Sequence, residues 1–329
     1  MIKLVATKGD VFMLNNYQYF IALAEELNIS KAAERLFISH QCLSKYLKNL
    51  EQEYNVTFFE RTPRLSLTPA GQAYLDMLRQ VQFLENNLEN QLSDIRMARK
   101  GLIRFGTTEG RFRILAPSLL SDFKRMYPEV RLETHYATSD QLCESIAKNE
   151  LDMALMNRRD AGSNQLERRT VLNEKLYMVI SDHLLAQYFS EQYPACKETF
   201  RNGVDLVAFA KREVPFVLNY KGFNSRETLE AHLRDKGVTL NCVLEMTQQD
   251  MHFMLAACDF AACFCWAMYL PTIQRTGEGN AQYLNVFPIK GLTATNQVML
   301  VMPKGKILPA YGKDLVRLIQ QTCTSFASL

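Results

Sequence analysis

Ala32 to Ala70 reads AAERLFISHQCLSKYLKNLEQEYNVTFFERTPRLSLTPA, and this stretch decides the fold. Ser39 is an N-cap residue by type, and the helix it opens is expected to run to about Glu53. Leu43, Tyr46, Leu47 and Leu50 recur on one face of that helix. The opposite face is His40, Gln41, Ser44, Lys45 and Lys48, with no carboxylate before Glu51. Such a face suits a DNA major groove. Amide and hydroxyl groups read base edges, lysines neutralise phosphates, and the free N–H groups of the helix start favour an anion.

A polar face is ordinary on any surface helix, so the flanking elements have to decide. Upstream, Tyr17, Phe20, Ile21, Leu23 and Ala24 fall at helical spacing. Ser30 is then read as the N-cap of a short helix, Lys31 to Leu36, whose Ala32 and Ala33 allow close packing. A two-residue break, Phe37-Ile38, separates it from the third helix. Downstream, Val56 to Glu60 and Leu65 to Leu67 read as two strands joined by the turn Arg61-Thr62-Pro63-Arg64. Arg61 and Arg64 would lie beside a phosphate backbone or in a minor groove. Thr68-Pro69 is an N-cap followed by an N1 proline, the start of another helix.

With these residues placed, Tyr19 to Gly71 resembles the DNA-binding domain of the LysR-type transcriptional regulators. The likeness is carried by Phe20, Ala32-Ala33-Glu34-Arg35-Leu36, Ser39, Leu43-Ser44, Leu50-Glu51, Phe58-Phe59-Glu60-Arg61 and Leu67-Thr68-Pro69-Ala70-Gly71. It departs from the family at His40-Gln41, where Gln-Pro is usual, and at Cys42, where Ala or Ser is common. Both changes fall on the reading face and point to a different base preference. Met13 stands where family members usually begin, so 1–13 is read as an N-terminal extension.

From Pro69 to about Arg99 there is no further proline and only Gly71, in the first turn. Tyr74, Met77, Val81, Leu84, Leu88 and Ile95 occupy heptad a and d positions, and Gln91 interrupts the series. A helix of about 30 residues spans about 45 Å, which favours pairing with a second chain as a coiled coil. Pairing would set two reading helices about one DNA turn or a multiple apart, matching a pseudo-palindromic site.

After Arg99-Lys100-Gly101, read as a hinge, strands and helices alternate. Strands are expected at 102–106, 130–136, 151–156, 176–180, 214–219, 240–245, 260–264, 283–289 and 297–302, with a looser stretch around 182–202. This argues an α/β region with parallel sheets, which bind ligands at the carboxyl ends of their strands. The resemblance extends here through Tyr127-Pro128-Glu129-Val130 and Glu150-Leu151-Asp152-Met153-Ala154-Leu155, and implies a two-subdomain, periplasmic-binding-protein-like effector domain. The expected layout is a winged helix-turn-helix at 14–70, a linker and dimerisation helix at 71–100, and an effector domain at 101–329. Within the last, 101–180 with 270–329 forms one half and 181–269 the other.

The family likeness implies a small molecule held between the halves. Thr107, Thr108 and Ser139 in the first half, and Asn219, Tyr220 and Thr247 in the second, sit at expected strand ends or helix starts and are the effector-site candidates. Cys258-Asp259-Phe260 stands where the family often has Gly-x-Gly, which implies a small, reshaped or filled pocket.

The chain has 329 residues, 47% of them apolar, enough for two domains and a linker. Its net charge is only +3, so DNA binding must rest on local charge placement. Eight cysteines include no CxxC pair and no clustered histidines, so neither zinc nor another cofactor is expected. Cys196, in the loose stretch, is an alternative oxidant sensor only if exposed. The apolar run Phe253 to Leu270 contains Asp259 and reads as buried core, not a membrane span. GxSxG, HExxH, P-loop and GxGxxG patterns do not occur, which argues against an enzyme. The partners implied are double-stranded DNA, an effector, RNA polymerase and further copies of the chain in a homodimer or homotetramer, all in the cytoplasm. The competing reading is an α/β binding or enzymatic domain with a fused interaction helix.

Overall fold

The computed structural model describes residues 16–62, 64–96, 100–157, 165–273 and 284–326. The expected extension at 1–13, Pro63, Arg99, Tyr283 and the Ile95 side chain lie outside them. The chain forms two compact units, residues 1–93 and 94–329.

In the first unit, α1 (Tyr17–Glu26), α2 (Ile29–Arg35) and α3 (His40–Tyr54) are followed by β1 (Phe59–Glu60), β2 (Ser66–Leu67) and α4 (Pro69–Ile95). The helices form because their apolar residues converge. Phe20, Leu23, Ala32, Leu43, Leu47 and Leu78 are fully buried in one cluster. Phe20 is packed by the rings of Phe58, Phe59 and Tyr74 at 5.5, 5.2 and 4.8 Å between centroids. The wing is an antiparallel pair, Phe59 opposite Leu67 and Glu60 opposite Ser66. It is shorter than expected from Val56 because side chains hold the backbone before it. Glu51 Oε1 accepts from the N–H groups of Phe58 (2.8 Å) and Phe59 (3.3 Å). Thr68 Oγ1 caps α4 by accepting from Gly71 N at 3.0 Å, as the Thr-Pro signal implied.

Along α4 the heptad divides. Tyr74 is buried in its own subunit's reader, and Met77 and Val81 pack against the same cluster, so these positions are not a free seam. Leu84 and Leu88 are 65% and 54% exposed.

The second unit contains two five-stranded sheets. The first orders β4 (Val130–Tyr136), β3 (Gly101–Thr107), β5 (Met153–Asn157), β12 (Asn296–Pro303) and β6 (Leu166–Glu174). Its helices are α5 (Glu109–Met126), α6 (Ser139–Ala147) and α13 (Ala310–Ser325). The second sheet orders β11 (Leu284–Pro288), β7 (Leu176–Ser181), β10 (Ala262–Trp266), β8 (Pro215–Leu218) and β9 (Asn241–Glu245). Around it lie α7 (Asp182–Tyr188), α8 (Cys196–Arg201), α9 (Leu206–Lys211), α10 (Asn224–Arg234), α11 (Gln249–Ala257) and α12 (Leu270–Ile273).

Both sheets are mixed and not wholly parallel. In each, three strands paired in parallel are extended through two antiparallel pairings, so that one strand, β12 or β7, runs against the other four. Their inner strands are buried on both faces, which explains the unbroken apolar runs. Met153 and Leu155 join one core cluster while Ala154 and Met156 join another, and Cys263 and Cys265 alternate with Ala262, Phe264 and Trp266 in the same way.

Three expectations need correction. Strands β7 and β11 belong to the second sheet, so the halves divide at Lys175 and within 289–295, not at 180 and 270. The loose stretch around 182–202 holds α7 and α8, and β6 had no expected counterpart. Gly101 is no hinge but the first residue of β3, where a Cβ would meet the Tyr311 hydroxyl at 2.2 Å. The run Phe253 to Leu270 is helix, strand and turn, and no helix among the described residues is long and apolar enough to cross a membrane.

Candidate functional site: a DNA reader and a two-sheet cleft

The reader presents α3 as expected. Ser39 Oγ accepts from Cys42 N at 3.1 Å and fixes the helix start. Leu43, Leu47 and Leu50 are buried, while His40, Gln41, Lys45 and Lys48 are exposed and Ser44 is half-buried. Arg61 and Arg64 are exposed on the wing. None of Lys31, Lys45, Lys48, Arg61 or Arg64 has a carboxylate partner among the described residues. Arg35, by contrast, is taken up internally by Glu25 (2.7 Å) and Glu26 (3.2 Å). Glu51, the first carboxylate of α3, is bound to the wing backbone and leaves the cationic face unopposed. Ser30 is not the cap of α2. The Asn28 carboxamide accepts from Lys31 N at 3.1 Å, so the helix opens at Ile29 and Ser30 stands exposed in its first turn.

In the second unit the candidates gather by half. Thr107 ends β3 and Thr108 is the N-cap of α5, although its side chain makes no cap hydrogen bond. The next strand end is adjacent, with Ala137 N donating to Thr107 O at 3.4 Å. The cap of α6 is Thr138, in a reciprocal capping box with Gln141, so Ser139 is buried in the first turn and is not the cap. In the second half, β8 and β9 are parallel neighbours. Asn219 follows β8 and donates to Ser225 Oγ at 2.6 Å, Tyr220 is exposed, and Thr247 is half-buried before α11. An exposed ion pair, Arg113 Nη1 to Asp250 Oδ2 at 3.1 Å, joins the start of α5 to the start of α11. This pair links the helix that follows Thr108 to the helix that follows Thr247.

In the second unit the buried side-chain atoms Thr107 Oγ1, Asn224 Oδ1, His232 Nε2 and His252 Nδ1 lack partners among the described residues. His252 is 1% exposed and its Nε2 is 3.0 Å from Met246 O, which marks Nε2–H as the donor. Burial lowers its pKa from the usual histidine value, so it is neutral at pH 7. It lines a cavity of about 10 Å³ with Asn219 and Ser225, room for about one water. A larger cavity, about 370 Å³, runs along α10 between Leu229, Leu233, Val238 and Leu240 and touches none of the six candidates. Cys258, Asp259 and Phe260 are all exposed, so Phe260 fills no buried pocket, and Asp259 adopts φ 59, the glycine-like conformation.

Sequence reasoning missed a buried network at the crossovers. Arg111 Nη2 donates to Glu174 Oε1 (2.7 Å) and Asn157 Oδ1 (2.5 Å), and its Nη1 lies 3.0 Å from Met268 Sδ. Asn296 Nδ2 donates to Glu174 Oε1 (2.7 Å) and Asn157 Oδ1 (3.0 Å), and Met268 N donates to Glu174 Oε2 (3.2 Å). Burial alone would lower the Arg111 pKa, but the Glu174 carboxylate beside it prevails and raises it.

The cysteine alternative loses its premise. Cys196 is buried in α8, and burial pushes its thiol pKa up, away from the reactive thiolate. Cys263 and Cys265 are buried and raised for the same reason. No cluster of metal-ligating side chains occurs among the described residues.

Comparison with known proteins agrees with this architecture. Residues 14–72 match the family described as bacterial regulatory helix-turn-helix protein, lysR family, and residues 98–324 match the LysR substrate binding domain. The HTH-type transcriptional activator CmpR of Synechocystis sp. is 25% identical over 239 residues, 72% of this chain and 73% of CmpR. The uncharacterized HTH-type transcriptional regulator YnfL of Escherichia coli is 34% identical over 176 residues, 53% of this chain and 59% of YnfL. A full-length OxyR variant from Pseudomonas aeruginosa shares the fold, with a TM-score of 0.64, 16% identity and coverage of 93% of this chain and 92% of that one. With two-domain agreement over nearly its whole described length, this chain belongs to the LysR family of transcriptional regulators.

Proposed function

We propose that Ser30, Ser39, His40, Gln41, Ser44, Lys45 and Lys48, with Arg61 and Arg64 on the wing, form the DNA-contacting surface of this regulator. The observation that carries this reading is the exposed α3 face, whose cations have no internal counter-charge among the described residues. Exposed Leu84 and Leu88 on α4 support a homodimer that reads a pseudo-palindromic site, and the family architecture supports assembly to a tetramer and contact with RNA polymerase in the cytoplasm. Fluorescence anisotropy on promoter DNA tests the contact roles. Lys48→Ala should weaken binding on every sequence and reduce the salt slope by about 1. Gln41→Ala should alter base preference and leave that slope unchanged. Equal losses on all sequences from both variants would refute the division of roles.

The cleft between the two sheets is the proposed effector site, with Thr107, Thr108 and Ser139 on one side and Asn219, Tyr220 and Thr247 on the other. The unpartnered Thr107 hydroxyl supports it, since a buried polar atom without a partner costs about 1–3 kcal/mol and a ligand can supply the missing bond. Thr107→Val is nearly isosteric. It should leave basal DNA binding unchanged and raise the melting temperature of the ligand-free protein, because an unsatisfied hydroxyl is removed, while reducing the thermal shift given by whichever metabolite stabilises the wild type. An undiminished shift would place the effector elsewhere.

A further inference from the structure

Phe37 is the most exposed large apolar side chain among the described residues, at 96%. Its backbone is left-handed, with φ 56. The cause is the way α2 ends. Phe37 N donates to Glu34 O and Ile38 N to Ala33 O, both at 3.0 Å, the two crossed bonds of a Schellman motif. That motif puts Phe37 at the left-handed position where glycine is preferred, and where a bulky residue is an outlier. The ring is not held there by packing, since almost none of it is covered. The fold therefore gains nothing from an aromatic residue at this turn.

The surroundings identify what does. Phe37 stands two residues before Ser39, the cap of the reading helix, and exposed His40 and Gln41 follow. In a helix-turn-helix the first helix crosses the backbone and the second enters the groove, so the turn between them runs beside the sugar-phosphate chain. We infer that Phe37 is a DNA-contact residue whose ring covers the apolar edge of a nucleotide, a deoxyribose face or a thymine methyl, beside the start of α3. The inference rests on the DNA-binding role of the family and adds a neutral, non-hydrogen-bonding contact to it.

The test uses the full chain and two duplex probes of equal length: the DNA immediately upstream of its own coding sequence, and a random sequence. Phe37→Gly should melt at or above the wild-type temperature, because the turn is relieved. It should bind about tenfold more weakly, the loss of a partly buried aromatic edge. The slope of affinity against salt should not change, because no phosphate charge is involved. Phe37→Tyr should keep wild-type affinity. Uracil-for-thymine probes locate the contact: a wild-type loss absent in Phe37→Gly assigns the methyl, and no loss assigns the deoxyribose. Unchanged affinity of Phe37→Gly on either probe, a weakened affinity accompanied by a lower melting temperature, or a changed salt slope would each overturn the inference. Failure of the wild type to prefer the upstream duplex would instead count against the choice of operator, and the Phe37 comparison still reads out on the random one.

Discussion

Glu174→Ala is expected to destabilise the C-terminal unit by about 3–5 kcal/mol, the usual cost of stranding a buried charge. Arg111 and Glu174 are 2% and 1% exposed, and among the described residues the carboxylate is the only ionised group bonded to the guanidinium. Its loss also leaves the Asn296 amide and Met268 N each without one acceptor. Domains are stable by only about 5–15 kcal/mol, so the loss is a large fraction of the whole. The control is the double variant Arg111→Met, Glu174→Leu. It removes both charges at similar volume and should recover most of the stability, since apolar replacement of a buried pair is often neutral or better. Urea unfolding followed by Trp266 fluorescence measures both, because the single tryptophan of the chain lies buried in β10, two residues before Met268. A Glu174→Ala loss below about 1 kcal/mol would mean that water reaches the guanidinium, and the pair would then be worth no more than an ion pair in solvent.

That network also marks the limit of what the sequence displays. Arg111, Asn157, Glu174, Met268 and Asn296 lie on five separate segments, and none forms a local pattern with its neighbours. Only the folding of β6 beside β12, with Asn296 opposite Glu174, brings them together. Strand β6 itself was hidden for a related reason. Its sequence LERRTVLNE carries two arginines near its centre, and it has neither the alternation of β4 nor the unbroken apolar run of β12. The reader was legible because its signals are local: a cap, a stripe, a proline turn and a Thr-Pro start within 39 residues. Even there, Ser30 and Asn28 are equally good cap types two residues apart, and only the geometry of the chain reversal selects Asn28. The same limit applies to the halves of the effector unit. Strands β7 and β11 pair with each other across more than 100 residues, and no local feature says to which sheet either belongs.

Gly71→Ala is expected to destabilise the DNA-binding unit and weaken DNA binding together. In an exposed helix the substitution would stabilise, by about 1 kcal/mol of helix propensity. Here the added Cβ would fall 2.1 Å from the Phe58 carbonyl oxygen and 2.8 Å from Leu67 Cδ2. The first of these is backbone, so the start of α4 and the strand before the wing must move apart. That separation breaks the joint itself: Thr68 N donates to Phe58 O at 3.0 Å, and Thr68 Oγ1 donates to Thr57 O at 2.7 Å. Overpacking of this kind costs about 1–3 kcal/mol, occasionally more, and so outweighs the propensity gain. The functional loss follows from geometry. Arg61 and Arg64 ride on the hairpin between Phe59 and Leu67, so displacing its base shifts both guanidiniums away from the register set by α3. Gln72→Ala is the matched control. It is the next residue on the same turn, exposed, and loses only a surface bond to Asp76 at 2.9 Å. Calorimetry and anisotropy on the same preparations should show Gly71→Ala lowered in both readouts and Gln72→Ala in neither. A Gly71→Ala protein more stable than wild type would show that helix propensity, not the approach of Phe58, governs this position.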